Sequence, residues 1–236
     1  MLLLAVLESP PAQTSSPAPA PATGEAALGK RALGWLREAL NDEDAAVRAA
    51  ALVQWGELGN PAAVPLVKKA LKDRNVNVRI EAATALHKLG DPECAPALQK
   101  IVAKAAVGAE GGARGAGPSS AQAEMKALAR SKTRIRAIGR LAECGGEDAV
   151  KLFETTLKDK NPVVADATAV ALAKMGFDEY GEPFVAALED KDEAVRVAAV
   201  AALGELAKRE YFDALRKAAV DPAVAVRVEA MRALGR

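Results

Sequence analysis

The feature that most constrains this chain is a period of 31 residues. Residues 73–90, DRNVNVRIEAATALHKLG, hold the template: an Asp, a Val-Arg pair whose Arg stands six residues later, and an apolar pattern that closes on Gly. The Arg slot falls at Arg48, Arg79, Arg134, Ala165, Arg196 and Arg227. Neighbouring slots are 31 residues apart except for the 55 between Arg79 and Arg134, which is one period plus 24. Self-similarity at such a period marks a stack of small supersecondary units, each too small to bury its own apolar face.

Other columns keep this register. Six before the slot stand Asp42, Asp73, Asp159, Asp190 and Asp221, with Leu128 breaking the column in the third unit. Seven after it stand Trp55, Leu86, Leu141, Leu172, Leu203 and Leu234; eleven after it stand Gly59, Gly90, Gly145, Gly176 and Ala207. Apolar positions at one before and at three or four, seven and ten after the slot follow helical spacing. A Gly just beyond them suits a left-handed helix stop. A shorter apolar segment precedes each Asp, as in residues 61–71, 147–157 and 178–188, and Pro61 and Pro92 stand where helices begin. Each unit therefore reads as helix A, a turn carrying the Asp as cap of the next helix, and helix B. The expected fold is all-α: a right-handed α-solenoid of about six antiparallel helix pairs.

An A/B helix pair with Asp in the turn and Val-Arg six residues on resembles the HEAT repeat, in the short form also seen in phycobilisome-lyase-like proteins. The resemblance covers residues 25–236. It implies that the Asp and Arg columns form a ladder bonding successive repeats, here Asp42, Arg48, Asp73, Arg79, Asp159, Asp190, Arg196, Asp221 and Arg227. Ala165 removes one rung, and the third unit has Arg134 without its Asp, so the joint around units three and four reads as the least tied.

Residues 1–24 are of another kind. Residues 1–7 are apolar and 9–23 are rich in Pro, Ala and Ser, a composition that does not pack. The opening resembles the tail of a signal-peptide core, which leans the expectation toward an exported, periplasmic protein in a bacterium rather than a cytoplasmic one. No stretch of about 18 apolar residues is present to span a membrane. The net charge of +1 argues against a general nucleic-acid binder, whose affinity needs many phosphate contacts. With aromatics at 3%, the core must come from Ala, Val and Leu. Trp35 and Trp55 read as packing, as do Phe153, Phe184, Tyr180 and Tyr211.

The 24 extra residues fall between the helices of unit three, at about 103–127. Residues 107–120, VGAEGGARGAGPSS, read as a flexible Gly-rich loop, and no phosphate-binding GxxxxGK[ST] pattern is present. Residues 121–144 then read as a lengthened helix B carrying Lys126, Arg130, Lys132, Arg134, Arg136 and Arg140 with no acid between the first and the last. This stripe has two readings: a solvated helix partly paired to acids such as Glu81, Glu143, Glu147 or Asp166, or a docking site for an anionic partner. His87 stands in a slot otherwise held by Gly56, Ala142, Ala173, Gly204 and Gly235. One His and two separated cysteines do not read as a zinc set. Cys94 and Cys144 fall at helix ends that meet in an antiparallel pair, which suits a disulfide after export or two small apolar core residues otherwise.

No catalytic constellation and no cofactor site is legible. The expected function is a non-enzymatic scaffold or adaptor that binds a protein partner through its concave helix-B face. The final repeat, lacking its last apolar slot, offers a surface for self-association. Two alternatives stand beside it. The resemblance implies a bilin lyase-like enzyme or enzyme subunit. The basic residues themselves suggest anion or nucleic-acid binding through residues 126–140, against which the shortage of aromatics for base stacking counts. Deoxyhypusine hydroxylase-type HEAT proteins hold iron with His-Glu pairs, which one His cannot supply. HEAT-like DNA glycosylases pair a basic surface with aromatics, whereas both Trp residues here lie far from the basic stripe.

Overall fold

The structure is a computed structural model that describes residues 24–110 and 120–236, with side chains described for 29–103 and 122–236. Residues 1–23, read above as a non-packing leader, and the middle of the Gly-rich insertion lie outside the described residues. The described chain is a right-handed α-solenoid of six antiparallel helix pairs, and no strand occurs among the described residues. The pairs are α1 (Gly24–Ala39) with α2 (Ala45–Leu58), α3 (Val64–Ala70) with α4 (Val76–Lys88), and α5 (Cys94–Glu110) with α6 (Ser120–Cys144). They continue with α7 (Glu147–Thr156) and α8 (Pro162–Lys174), α9 (Glu182–Ala187) and α10 (Glu193–Leu206), and α11 (Phe212–Ala218) and α12 (Val224–Leu234). Three of the A helices are entered through a 3-10 turn, at Pro61–Ala63, Asp178–Tyr180 and Arg209–Tyr211. The 24-residue excess lengthens both helices of its unit: α5 runs through residues 107–110, which the sequence reading assigned to a loop.

The inter-helix turn corrects one expectation. The column Asp does not cap helix B. The cap is the Asp or Asn two residues on: Asp44, Asn75, Asn161 and Asp192 accept from the backbone N–H of Ala46, Asn77, Val163 and Ala194. The column Asp instead accepts the N–H of that capping residue, as in Asp73 with Asn75 at 2.7 Å and Asp190 with Asp192 at 2.8 Å. Asp-x-Asp/Asn is thus a two-stage turn in which the first carboxylate sets the turn and the second side chain satisfies an orphan helix donor. This leaves the other oxygen of the column Asp free to face the neighbouring repeat. At the far end of helix B, Gly59 is left-handed at φ 61°, and Ala207, in the same column, is held there at φ 50°.

The core lies between the A and B layers as three successive clusters, bridged by partly buried side chains such as Tyr180 and Cys144. Leu52, Val67, Ile80, Leu86, Leu98, Ile138, Leu141, Phe153, Leu172 and Leu203 are fully buried. Each such side chain contributes on the order of 1.5–3 kcal/mol on burial. Ala and Gly between them let the B helices press together. A Cβ on Gly56 would meet Ala85 Cα at 3.1 Å, and one on Gly204 would meet Ala233 Cβ at 2.5 Å. Trp55 is buried, with its indole N–H donating to Leu36 O at 3.4 Å. Trp35 departs from the expected packing: it is 61% exposed, with Arg31 lying 5.6 Å above its ring. Its slot faces outward because no earlier unit among the described residues covers α1. Phe153, Phe184 and Tyr211 are buried and Tyr180 partly so.

Candidate functional site

Three interactions of the Arg and Asp columns cross between repeats. Arg48 reaches Asp73 through two bonds, Nε to Oδ2 at 2.8 Å and Nη2 to Oδ1 at 2.9 Å. Arg196 reaches Asp221 in the same way at 2.9 and 3.0 Å. Arg134 reaches Asp159 through one nitrogen. Each pair spans 25 residues. The same guanidinium donates Nη1 to the carbonyls of its own turn, as Arg48 does to Asp42 and Glu43 at 2.8 and 2.9 Å, so one side chain ties a turn and a neighbour together. The hydrogen bond from Arg48 holds the Asp73 carboxyl below its ordinary range, and Arg196 does the same to Asp221. Arg79 and Arg227 bond their own turns, to Asp73 O and Asp221 O at 2.7 Å each.

The basic helix is not uniform. Arg134 is buried in its rung, Arg136 pairs with the buried Glu81 of α4, and Arg140 pairs with Glu143 at 2.9 Å. Lys126, Arg130 and Lys132 are exposed. Lys126 and Arg130 form one wall of an open cavity of about 690 Å³ between the second and third helix pairs. Leu71, Val76, Ala97 and Ile101 give it an apolar lining, and Lys72, Arg79 and Lys100 bring further cations. Glu93 is the one carboxylate among the described residues lining it, and Lys68 already holds it at 3.0 Å. The cavity therefore joins apolar contact area to an excess of positive charge, a combination suited to an acidic, partly apolar segment of another chain.

The structure also brings together three residues that the sequence reading kept apart. Cys94 at the start of α5, Cys144 at the end of α6 and His87 in the last turn of α4 place their donor atoms within 4.8 Å of one another. Both cysteines are free thiols; Cys94 is buried, Cys144 half-buried and His87 exposed. Burial, and next the neighbouring Cys94 sulfur, push the Cys144 thiol up to about 12. No spacing motif announces this cluster. Its signal in the sequence was subtler: His87 and Cys144 each replace the residue type the other repeats put in those columns.

Stacked helix pairs with a ladder of Arg-Asp rungs define the class of an α-solenoid repeat protein. The family model described as HEAT repeats matches residues 33–109 and 181–236, more than half of the sequence, and the chain belongs to that family. Among solved structures, a chain of the complex of CpcE and CpcF of phycocyanin lyase from Nostoc sp. PCC7120 is 24% identical, covers 97% of this chain and 91% of its own, and superposes with a TM-score of 0.51. Human deoxyhypusine hydroxylase is 24% identical over 90% of this chain and 88% of its own, with a TM-score of 0.32. A designed armadillo repeat protein is 20% identical over 86% of this chain and 98% of its own, with a TM-score of 0.33. No curated protein sequence matches. No helix among the described residues is long and apolar enough to cross a membrane.

Proposed function

We propose that this HEAT-repeat chain is a non-enzymatic scaffold that binds a protein partner in the cavity between its second and third helix pairs, with the basic helix α6 as one wall and α5 as the other. The observation that carries this reading is the cavity walled by Lys126 and Arg130 of α6, where cations from four helices and turns surround an apolar lining and the one described carboxylate is already paired. The occupant it fits is an acidic segment with apolar residues spaced to reach Leu71, Val76 and Ile101. Long-range attraction would steer such a segment in, and salt would weaken the binding.

The test is retention of an array of acidic peptides by the wild-type chain and by a Lys100→Glu, Lys126→Glu variant. Both lysines are exposed, so the variant keeps its fold, which circular dichroism checks. Salt-sensitive retention of acidic-apolar peptides by the wild type, lost in the variant, is the expected result. Equal retention by both would move recognition off this cavity, and no retention by either would end the reading.

A further inference from the structure

The sole histidine and the only two cysteines of 236 residues come from three different helices and meet at one point. We infer that His87, Cys94 and Cys144 form a metal site for a zinc-type divalent ion, with a fourth position open to solvent beside His87. This assignment is independent of the partner-binding reading.

The donor chemistry selects the ion class. Two thiol sulfurs and an imidazole suit zinc and its neighbours among the divalent transition metals, and do not suit the oxygen-seeking calcium or magnesium. A tetrahedral ion bound at about 2.0–2.3 Å spaces its donors roughly 3.5–3.8 Å apart. The three donor atoms, all within 4.8 Å of one another, need to close by about an ångström, a motion within reach of side-chain torsions. The backbone is placed to help. His87 and Cys144 sit in the last turns of α4 and α6, the helix ends at which positive charge is favoured, and Cys94 opens α5, the end at which negative charge is favoured. As the ion binds, two sulfur–metal bonds form and two S–H protons pass to solvent, while neutral imidazole gives its free nitrogen. Burial of Cys94 and exposure of His87 leave the site open on one side, the arrangement of three protein ligands and one exchangeable water.

The repeat itself supports a specific role. The column of His87 holds only Gly or Ala in the other five repeats, and the column of Cys144 holds Leu58, Leu89, Met175 and Leu206. Packing alone asks for neither an imidazole nor a thiol there. The site would also link the second and third repeats at the end of α4 opposite Arg79, so bound metal would stiffen a joint that has no Arg79 rung.

The experiment is a titration of the fully reduced chain with cobalt(II), followed by displacement with zinc. Two variants take the residues other repeats use in the same columns, His87→Ala and Cys144→Leu, so both are expected to fold; circular dichroism checks this. The expected result is sulfur-to-cobalt charge-transfer absorption that saturates at one equivalent and is lost on adding zinc. Removing an outer-shell partner costs roughly 10–100-fold in metal affinity, and each variant here, losing a ligand, should weaken binding at least that much. Zinc should also protect both thiols of the wild type from a thiol reagent. Absence of the charge-transfer band with both thiols freely reactive in zinc would overturn the assignment. So would a band that survives His87→Ala unchanged. Isolation of a Cys94–Cys144 disulfide whose reduced form binds no metal would assign the pair to redox chemistry instead.

Discussion

The joint between the first two helix pairs and the joint between the second and third use the same columns and close differently. In the first, Gly56 lets α2 and α4 approach until a Cβ would touch Ala85, Arg48 grips Asp73 with two bonds, and Lys88 pairs with Glu57 on the outer rim. In the second, His87 takes the glycine's column, and the Asp column of the third unit, beyond the 24-residue insertion, holds Leu128. Arg79 turns back to its own carbonyls, and the space beside it is the basic cavity. The joint between the fifth and sixth pairs repeats the closed pattern with Gly204, Ala233, Arg196 and Asp221. A period stiffens a solenoid only where every column is kept. Where two columns fail together, the chain gains a cavity and a cluster of sulfur and imidazole donors.

The first way to break this comparison is to remove a rung. Arg48→Ala should lower the melting temperature by several degrees, because it strips a two-bond link between repeats and leaves Asp73 unpaired. Arg79→Ala, which bonds only its own turn, should lower it less; equal losses would show that the rungs do not tie the repeats. The same rungs set an acid dependence. Asp73 and Asp221 are held below their unfolded value of about 3.9, so their contribution is full above that pH and disappears as pH falls through the lower folded values. Thermal melts across that range should lose stability faster for the wild type than for an Asp73→Asn, Asp221→Asn variant.

The next test exchanges one glycine at a closed joint and one at an open position. Gly204→Ala drives a Cβ into Ala233 and should cost about 1–3 kcal/mol. Gly139→Ala, with nothing within 4 Å in mid-helix α6, should stabilise by about 0.5–1 kcal/mol. Chemical denaturation reads both, and opposite signs are the expected outcome. Ala207→Gly relieves a left-handed alanine at φ 50° and should stabilise by about 1 kcal/mol. The smallest effect belongs to Ala165→Arg, which would restore a rung to the exposed Asp190. It should add about 0.2–1 kcal/mol, and marked destabilisation in a thermal melt would mean the register of that repeat is wrong.

Some of the chemistry could be read one residue at a time, and some could not. Asp-x-Asp/Asn stands in four turns, and propensity does not say which of its two capping residues meets the helix; the structure gives that place to the second. Trp35 shares the apolar spacing of its helix, but whether that face is covered depends on what packs beyond it. Arg134, Arg136 and Arg140 look alike along α6; their partners Asp159, Glu81 and Glu143 come from a later turn, an earlier helix and the same helix.

The sequence by itself determined the helix pairs, their antiparallel order and the buried columns. Those depend on spacing within about 31 residues, where apolar period and turn chemistry act locally. Only the tertiary structure decided which cations line a cavity and that His87, Cys94 and Cys144 share one point. Such meetings are set by how far successive helix pairs rotate and approach, and that geometry depends on packing between repeats.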